Sequence, residues 1–205
     1  MEILLSDENI DVNKVDVSKR PHMRPLNYAI EAENIDATKL LLARTDILVN
    51  VGDKETNEIG SPLLSAVNIG NPKLVSLLLK QDQIDVNQYS FKNWTPLLSA
   101  IDENDEEIVE MLLKHPDIDV NKTGSGGWTP LLLAIAEKNE GIVEILLKHP
   151  EIDVNIAGLK GWTPLTRACN RGLWAPMMDL DFDSYRHEPE KWPIFFTILF
   201  LGNME

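Results

Sequence analysis

Histidine and cysteine are the residue types that most readily bind metals or act as nucleophiles, and this chain has four histidines and one cysteine. His115 and His149 both follow Leu-Leu-Lys and are equivalent by position. Packed helices lie about 8–10 Å apart, whereas each zinc ligand approaches within about 2.1 Å of the metal. We therefore predict no metal site. We interpret both histidines as cations near helix C-termini, where the helix dipole favours positive charge.

The other candidate chemical groups also favour structural roles. Cys169 occupies the branched-aliphatic position of a helical stripe, so we expect a small buried side chain rather than a nucleophile. Asp85, Asp119 and Asp153 recur in an Asp-Val-Asn sequence, where loop-bracing hydrogen bonds explain them better than paired-carboxylate catalysis. The glycine run at 124–127 lacks a following Lys-Ser/Thr and is no phosphate loop. We predict no enzyme active site and no cofactor.

Three tryptophans stand at one spacing, and each directly precedes a Thr-Pro pair: Trp94, Trp128 and Trp162. In one interpretation each indole lies flat against the neighbouring connector and stiffens the structure. In the other, the three rings are exposed and form a contact stripe for a protein partner, because tryptophan is a strong interface anchor. The two interpretations do not exclude each other.

The tryptophans belong to an internal repeat. Five prolines mark the repeat: Pro25, Pro62, Pro96, Pro130 and Pro164. The last four follow one another at intervals of 34 residues, and the first precedes the second by 37. From each of the first four prolines, the next Asp-Val-Asn or Leu-Val-Asn sequence ends 25 residues later. The connector from that asparagine to the next proline measures 12 or 9 residues. A fixed unit indicates packing, and a connector of variable length indicates an exposed loop.

Each unit contains two helical patterns. Every proline is followed by a Leu-x-x-Ala stripe typical of one helix face. A hydroxyl residue precedes four of the prolines at the N-cap position: Ser61, Thr95, Thr129 and Thr163. A second helix is predicted over 73–80, 107–115 and 141–149. Two short helices and a loop cannot bury their apolar faces alone, so the units must stack into a solenoid.

The sequence WTPLLLAI…IVEILLKHPEIDVN resembles the ankyrin repeat. The resemblance covers about residues 1–172 and implies an all-α solenoid of stacked helix-turn-helix units with extended, hairpin-like connectors. The histidine of the family's Thr-Pro-Leu-His sequence is replaced in all five copies, by Asn27, Leu64, Leu98, Leu132 and Thr166. This removes a polar tie, so we expect apolar contacts between repeats to carry more weight. Arg24 replaces the capping hydroxyl of the first full repeat, which predicts a weaker cap there.

The repeats divide the chain into an array and a tail. The array comprises a half repeat at 1–13, full repeats at about 14–50, 51–87, 88–121 and 122–155, and a partial repeat at 156–172. The half repeat is either a cap or the sign of a truncated gene. The divergent tail, 173–205, is expected to cap the last repeat, with disorder or truncation and a docking motif or membrane-surface anchor as the alternatives. Its apolar stretch at 194–201 is shorter than the roughly 20 residues that span a bilayer.

Composition restricts the classes of partner. The net charge of −14 argues against nucleic acids and anionic membranes and favours a protein partner with a basic patch. One cysteine excludes an intramolecular disulfide, and the acidic start is unlike a signal peptide, so we expect a cytoplasmic or nuclear protein. We also expect the protein to be monomeric. The resemblance implies non-enzymatic protein binding through a concave face. The alternative is a targeting or adaptor subunit whose tail docks a larger complex or a membrane surface.

In ankyrin arrays the connector tips and the exposed side of the first helices line the binding groove. Carried over by position, the predicted partner-binding residues are Phe91, Lys92, Trp94, Asp102, Glu103, Ser125, Trp128, Ala136, Glu137, Leu159, Lys160 and Trp162. Asn68 and Ile69 are helix-end positions of the same kind. Met23 and Gly60 hold the tryptophan position in the earlier repeats, which confines the row of tryptophans to the C-terminal half.

Overall fold

A computed structural model describes residues 7, 9–16, 18, 23–51, 60–90 and 92–171, with side chains up to residue 168 in the last range. The chain divides into two units, Met1–Ile118 and Asp119–Glu205. The described residues form nine α-helices, two short 3₁₀ turns and one isolated antiparallel bridge, from Asp16 to Met23. The side chain of Cys169, the tail at 173–205 and most of the half repeat lie outside the described residues, so these expectations and the predicted domain division stay predictions.

The first unit holds three pairs of helices, one pair in each repeat. Its helices are α1 (Pro25–Glu31), α2 (Ile35–Leu42), α3 (Pro62–Ile69), α4 (Pro72–Leu79), α5 (Pro96–Asp102) and α6 (Glu106–Leu113). Each first helix packs on the second helix of its own repeat. First helices also pack on first helices, α1 on α3 and α3 on α5, while α2 packs on α4 and α4 on α6. This stacking confirms the predicted all-α repeat architecture.

The second unit repeats the pattern with helices α7 (Pro130–Glu137), α8 (Glu140–Leu147) and α9 (Pro164–Arg171). Helix α7 packs on α8 within its repeat and on α9 of the next repeat. The connectors before α7 and α9 contain the 3₁₀ turns Ser125–Gly127 and Leu159–Gly161.

Side chains at the predicted N-caps begin the first helices. The hydroxyls of Ser61, Thr95 and Thr129 accept the backbone N–H three residues later, at 3.3, 3.2 and 3.1 Å. Arg24 makes no such cap, as predicted, and its Nη1 donates instead to the carbonyl of Asn13. In the fifth copy, the Thr166 hydroxyl donates to the Thr163 carbonyl at 2.9 Å, so a polar tie survives there.

The second helices place two equivalent histidines in the loops that follow them. Helices α4, α6 and α8 begin one residue earlier than predicted and end one or two residues earlier, so His115 and His149 come directly after the C-caps of α6 and α8. The Nδ1 atoms of these histidines accept the backbone N–H groups of Asp117 and Glu151, at 3.2 and 3.3 Å. Both rings therefore brace the loop after their helix, and their interpretation as cations stays a prediction.

The core follows the repeat pattern. The first leucine of each stripe in the four full repeats is buried: Leu26, Leu63, Leu97 and Leu131. Leu64, Leu98 and Leu132, which replace the family histidine, are buried as well, so apolar contact does replace the polar tie. Asn27 is buried at the same position, and its Nδ2 has no hydrogen-bond partner among the described residues.

The Asp-Val-Asn loops form hydrogen bonds both within and between repeats. Asp85, Asp119 and Asp153 each accept the backbone N–H of the asparagine two residues later, which confirms the predicted loop brace. The asparagine reaches the next loop. In the second unit, Asn121 Nδ2 donates to the Glu151 carbonyl at 2.7 Å, and its Oδ1 accepts the Asp153 N–H at 2.8 Å.

In the first unit, Asn50 makes the equivalent pair of bonds. Its Nδ2 donates to the Gln83 carbonyl at 2.5 Å, and its Oδ1 accepts the Asp85 N–H at 2.8 Å. Asn13 does the same with Asp46 and Leu48. One amide side chain thus fixes the backbone of the neighbouring loop at two atoms, because an amide is both donor and acceptor.

Candidate functional site

The three connectors that carry tryptophans are hairpins closed by the tryptophan backbone. The carbonyls of Trp94, Trp128 and Trp162 accept the N–H four residues earlier, at 2.8, 2.8 and 2.9 Å. All three indoles are half-buried. The backbone of each tryptophan therefore holds the hairpin, while the ring remains available for contacts with side chains.

In the first unit, Trp94 lines a cavity of about 420 Å³, which we call the Trp94 cavity. The repeat before it contributes Gly60, Leu64 and Asn68. The repeat of Trp94 itself contributes Ser90, Lys92, Trp94, Ser99, Asp102 and Glu103. The cavity thus lies between the first helices α3 and α5 and the hairpin that precedes α5.

Charge is concentrated on one wall of the Trp94 cavity. Asp102 ends α5, Glu103 is its C-cap, and both side chains are exposed. In the part of the chain that the structure describes, neither carboxylate forms a salt bridge. Lys92 is exposed on the hairpin. The three charged residues that line the cavity sum to −1, from one cation and two carboxylates.

In the second unit, two tryptophans line a smaller cavity of about 220 Å³, which we call the Trp128–Trp162 cavity. Its other lining residues are Gly126, Gly127, Leu132, Gly158, Leu159 and Arg167. The guanidinium carbon of Arg167 lies 5.0 Å from the ring centroid of Trp128 and 5.9 Å from that of Trp162. Both distances are within the range of a cation–π interaction. Arg167 therefore bridges the rings of two successive repeats.

The hairpins of the second unit approach each other through glycine. A Cβ atom on Gly158 would lie 2.8 Å from the Gly127 carbonyl oxygen and 3.0 Å from Cδ1 of Leu132. A Cβ on Gly127, whose φ is +70°, would lie 3.0 Å from the Leu159 nitrogen. Glycine at both positions lets the two backbones meet. Leu159, at the tip of its hairpin, is 62% exposed.

The sequence matches a family model for ankyrin repeats, in three copies, over residues 46–124 and 117–175. These segments cover more than half of the 205 residues. The chain belongs to the ankyrin repeat family. Comparison with curated proteins gives no match. Ankyrin repeats generally mediate protein–protein interactions, and the family is typically non-enzymatic.

The ankyrin repeats bring the predicted binding residues into two separate groups. Lys92, Trp94, Asp102 and Glu103 meet at the Trp94 cavity, together with Asn68. Trp128, Leu159 and Trp162 meet at the Trp128–Trp162 cavity. Three further predicted residues are exposed and line neither cavity: Ser125, Glu137 and Lys160. Phe91 lies outside the described residues.

Ala136 is buried, contrary to the prediction. The sequence predicts it on the exposed side of its helix, yet it is only 7% exposed. Helix α7 is buried at every position from Pro130 to Ala136. The equivalent position in α5 is Asp102, which stays exposed.

Several lining residues were not predicted from the sequence, among them Ser99 and Arg167. Ser99 and Arg167 both stand three residues after a helix-starting proline, and each lines one cavity of the ankyrin repeats. The other repeats carry Tyr28, Ser65 and Leu133 at this position. Because the five copies show four different residue types, comparison of the repeats gives no signal there.

Within the ranges that the structure describes, no three His, Cys, Asp or Glu side chains are grouped to hold a metal ion. Across the same residues, no helix has the length and apolarity needed to cross a bilayer.

Proposed function

We propose that this ankyrin array binds a protein partner through the face that carries its first helices and hairpins, the concave face in this family. The observation that supports this most is the Trp94 cavity. It joins a half-buried indole to two exposed carboxylates at a junction between repeats. Aromatic anchors set in pockets with polar rims are typical of the residues that dominate binding free energy.

Rigidity of the surface supports the same proposal. The Trp94 hairpin is closed by the bond from the Ser90 N–H to the Trp94 carbonyl, and the Ser90 hydroxyl also accepts the Trp94 N–H at 3.1 Å. The cap from Thr95 then begins α5 directly after the indole. Side chains that are already ordered lose little conformational entropy on binding, so more of the contact energy appears as affinity.

Net charge supports a basic partner. At −14, the chain attracts a positively charged surface, and Asp102 and Glu103 place part of that charge beside Trp94. We expect the rate of association to fall as the salt concentration rises, because exposed charges are screened.

The experiment that tests this proposal is quantitative affinity capture from a cell lysate with matched baits. Proteins bound to the wild-type chain should be lost from a Trp94→Ala bait and reduced on an Asp102→Asn/Glu103→Gln bait. The matched control is Glu107→Gln/Glu144→Gln, which removes the same charge from exposed positions of α6 and α8 outside both cavities. Circular dichroism confirms that each bait is folded. Equal capture by all four baits would contradict the proposal.

The targeting or adaptor function remains the second prediction. It rests on the tail at 173–205, which lies outside the described residues. Deleting the tail should leave the captured partners unchanged if the array alone binds them. We also propose that the chain acts in the cytoplasm or nucleus, since its single cysteine suits a reducing compartment. We propose that it acts there as a monomer.

A further inference from the structure

The Trp94 cavity and the Trp128–Trp162 cavity are built from equivalent positions of the repeat. Counted from the helix-starting prolines, Gly60 corresponds to Trp128 and Leu64 to Leu132 in the first repeat of each pair. In the second repeat of each pair, the correspondences are Ser90 with Gly158, Trp94 with Trp162, and Ser99 with Arg167. The two cavities are therefore two versions of one groove between successive repeats.

The two versions differ in what fills them. In the second unit, the guanidinium of Arg167 lies over both indoles, and the remaining volume is about 220 Å³. In the first unit, Ser99 takes the place of the arginine and Gly60 the place of one tryptophan, and about 420 Å³ remains. The groove of the first unit thus keeps the indole of Trp94 but lacks the arginine that its counterpart supplies internally.

The open groove of the first unit also contains two carboxylates. Asp102 and Glu103 line it, and Asn68 lines it from α3, the first helix of the preceding repeat. A guanidinium has five N–H donors in one plane, stacks on aromatic rings and forms paired hydrogen bonds with carboxylates. An ammonium group can be attracted by the same charges but cannot stack in this way.

From this equivalence we propose that the Trp94 cavity binds an arginine side chain of the partner, stacked on Trp94 and hydrogen-bonded to Asp102 and Glu103. The inference rests on the proposed protein-binding function and specifies the chemistry of the partner at this site.

The test uses the full chain, labelled with ¹⁵N, and three small ligands: the acetylated amides of arginine, citrulline and lysine. Citrulline keeps the shape of arginine without its charge. The indole N–H signal of Trp94, assigned with a Trp94→Phe variant, should shift saturably with the arginine ligand. Binding of the citrulline ligand should be about tenfold weaker, since hydrogen bonds to charged groups are the stronger ones. The lysine ligand should bind more weakly than the arginine ligand.

Three variants complete the design. Asp102→Asn/Glu103→Gln should remove the preference for arginine over citrulline, while the control Glu107→Gln/Glu144→Gln should keep it. Ser99→Arg places an arginine at the position of Arg167, so it should fill the cavity from within and abolish the shift caused by the arginine ligand. All three variants change exposed or half-buried positions, and circular dichroism verifies their folding.

Specific outcomes would overturn the inference. Equal shifts at Trp94 with arginine and citrulline would do so, as would an arginine preference that survives Asp102→Asn/Glu103→Gln. Failure of this inference differs from failure of the proposed function. If the Trp94→Ala bait loses captured proteins while arginine and citrulline bind equally, the surface binds protein but not through an arginine. If neither experiment depends on Trp94, both proposals fail.

Discussion

The guanidinium of Arg167 lies 5.0 Å from the ring centroid of Trp128, a residue of the preceding repeat. The same group lies 5.9 Å from the ring of Trp162, in its own repeat. Two rings and one cation are thus stacked along the repeat direction of the second unit. In that unit the indoles contact the guanidinium of Arg167, and the interpretation that each ring lies flat against the neighbouring connector stays a prediction.

Replacing Arg167 with glutamine should lower the free energy of unfolding. Each cation–π contact contributes about 0.5–1 kcal/mol at an exposed site, so we expect a loss of about 1–2 kcal/mol. Urea unfolding followed by circular dichroism measures it. Lys148→Gln removes an exposed cation that lies outside the cavity and should change little. Equal effects of the two substitutions would show that only net charge matters.

Replacing Asn121 with alanine should destabilise the second unit. It removes the bond to the Glu151 carbonyl and the bond from the Asp153 N–H, and we expect a loss of about 1–3 kcal/mol in urea unfolding. Asn155→Ala is the matched control. Asn155 ends the next copy of Asp-Val-Asn, and among the described residues its side chain makes no hydrogen bond. A comparable loss from Asn155→Ala would contradict the role assigned to the side-chain amide.

Replacing Gly158 with alanine should push two hairpins apart. The new Cβ would lie 2.8 Å from the Gly127 carbonyl oxygen, and overpacking of this kind typically costs about 1–3 kcal/mol. Ser90 holds the equivalent position in the first unit, where a side chain is accommodated. Ser90→Ala should therefore lose only the bond to the Trp94 N–H, about 1 kcal/mol or less. Thermal unfolding of both variants compares the two, and equal shifts would contradict a steric cause.

The ion pair between Arg44 and Asp46 should make the stability of the fold depend on pH in the acid range. Arg44 Nε and Nη2 donate to the two carboxylate oxygens at 2.9 and 3.0 Å, and this bonding lowers the pKa of Asp46. A lowered pKa in the folded state stabilises the fold above the unfolded-state pKa, and that stabilisation is lost as the pH falls through the folded-state pKa. Arg44→Gln should raise the pKa of Asp46, as measured by NMR titration of the carboxyl carbon.

Asp7 provides an internal control for that titration. Its pKa is also lowered, but chiefly by the backbone and side-chain N–H groups of Asn9 and only weakly by the charge of Arg44. Arg44→Gln should therefore move the pKa of Asp46 more than that of Asp7. A larger change at Asp7 would mean that the substitution disturbs the loop rather than the ion pair.

The sequence predicts local structure best where one residue type determines it. Proline after a hydroxyl residue fixed the starts of α3, α5 and α7, and the caps from Ser61, Thr95 and Thr129 are present. The recurring Leu-x-x-Ala stripe identified the buried face, because burial of apolar side chains at helical spacing leaves few alternatives. Recurrence over several repeats made each of these predictions independent of any single copy.

The sequence predicts least where a contact depends on tertiary packing. The stacking of Arg167 on two indoles depends on one position that changes from copy to copy, so the repeat pattern does not predict it. The hydrogen bond that His115 accepts from the Asp117 N–H depends on the loop geometry after α6. Ala136 is buried although the equivalent residues Asn68 and Asp102 are exposed, so the position in the helix does not predict its exposure.

Two positions of the repeat, two residues before and three residues after the helix-starting proline, separate the filled groove from the open one. Serine at the second of these positions leaves room beside Trp94, and arginine at Arg167 occupies the corresponding room. The scaffold on either side is held by caps, hairpins and asparagine bonds that do not involve the side chains at these positions. An ankyrin array of this type can therefore open or fill a groove between successive repeats by point mutations, without any change in repeat length or number.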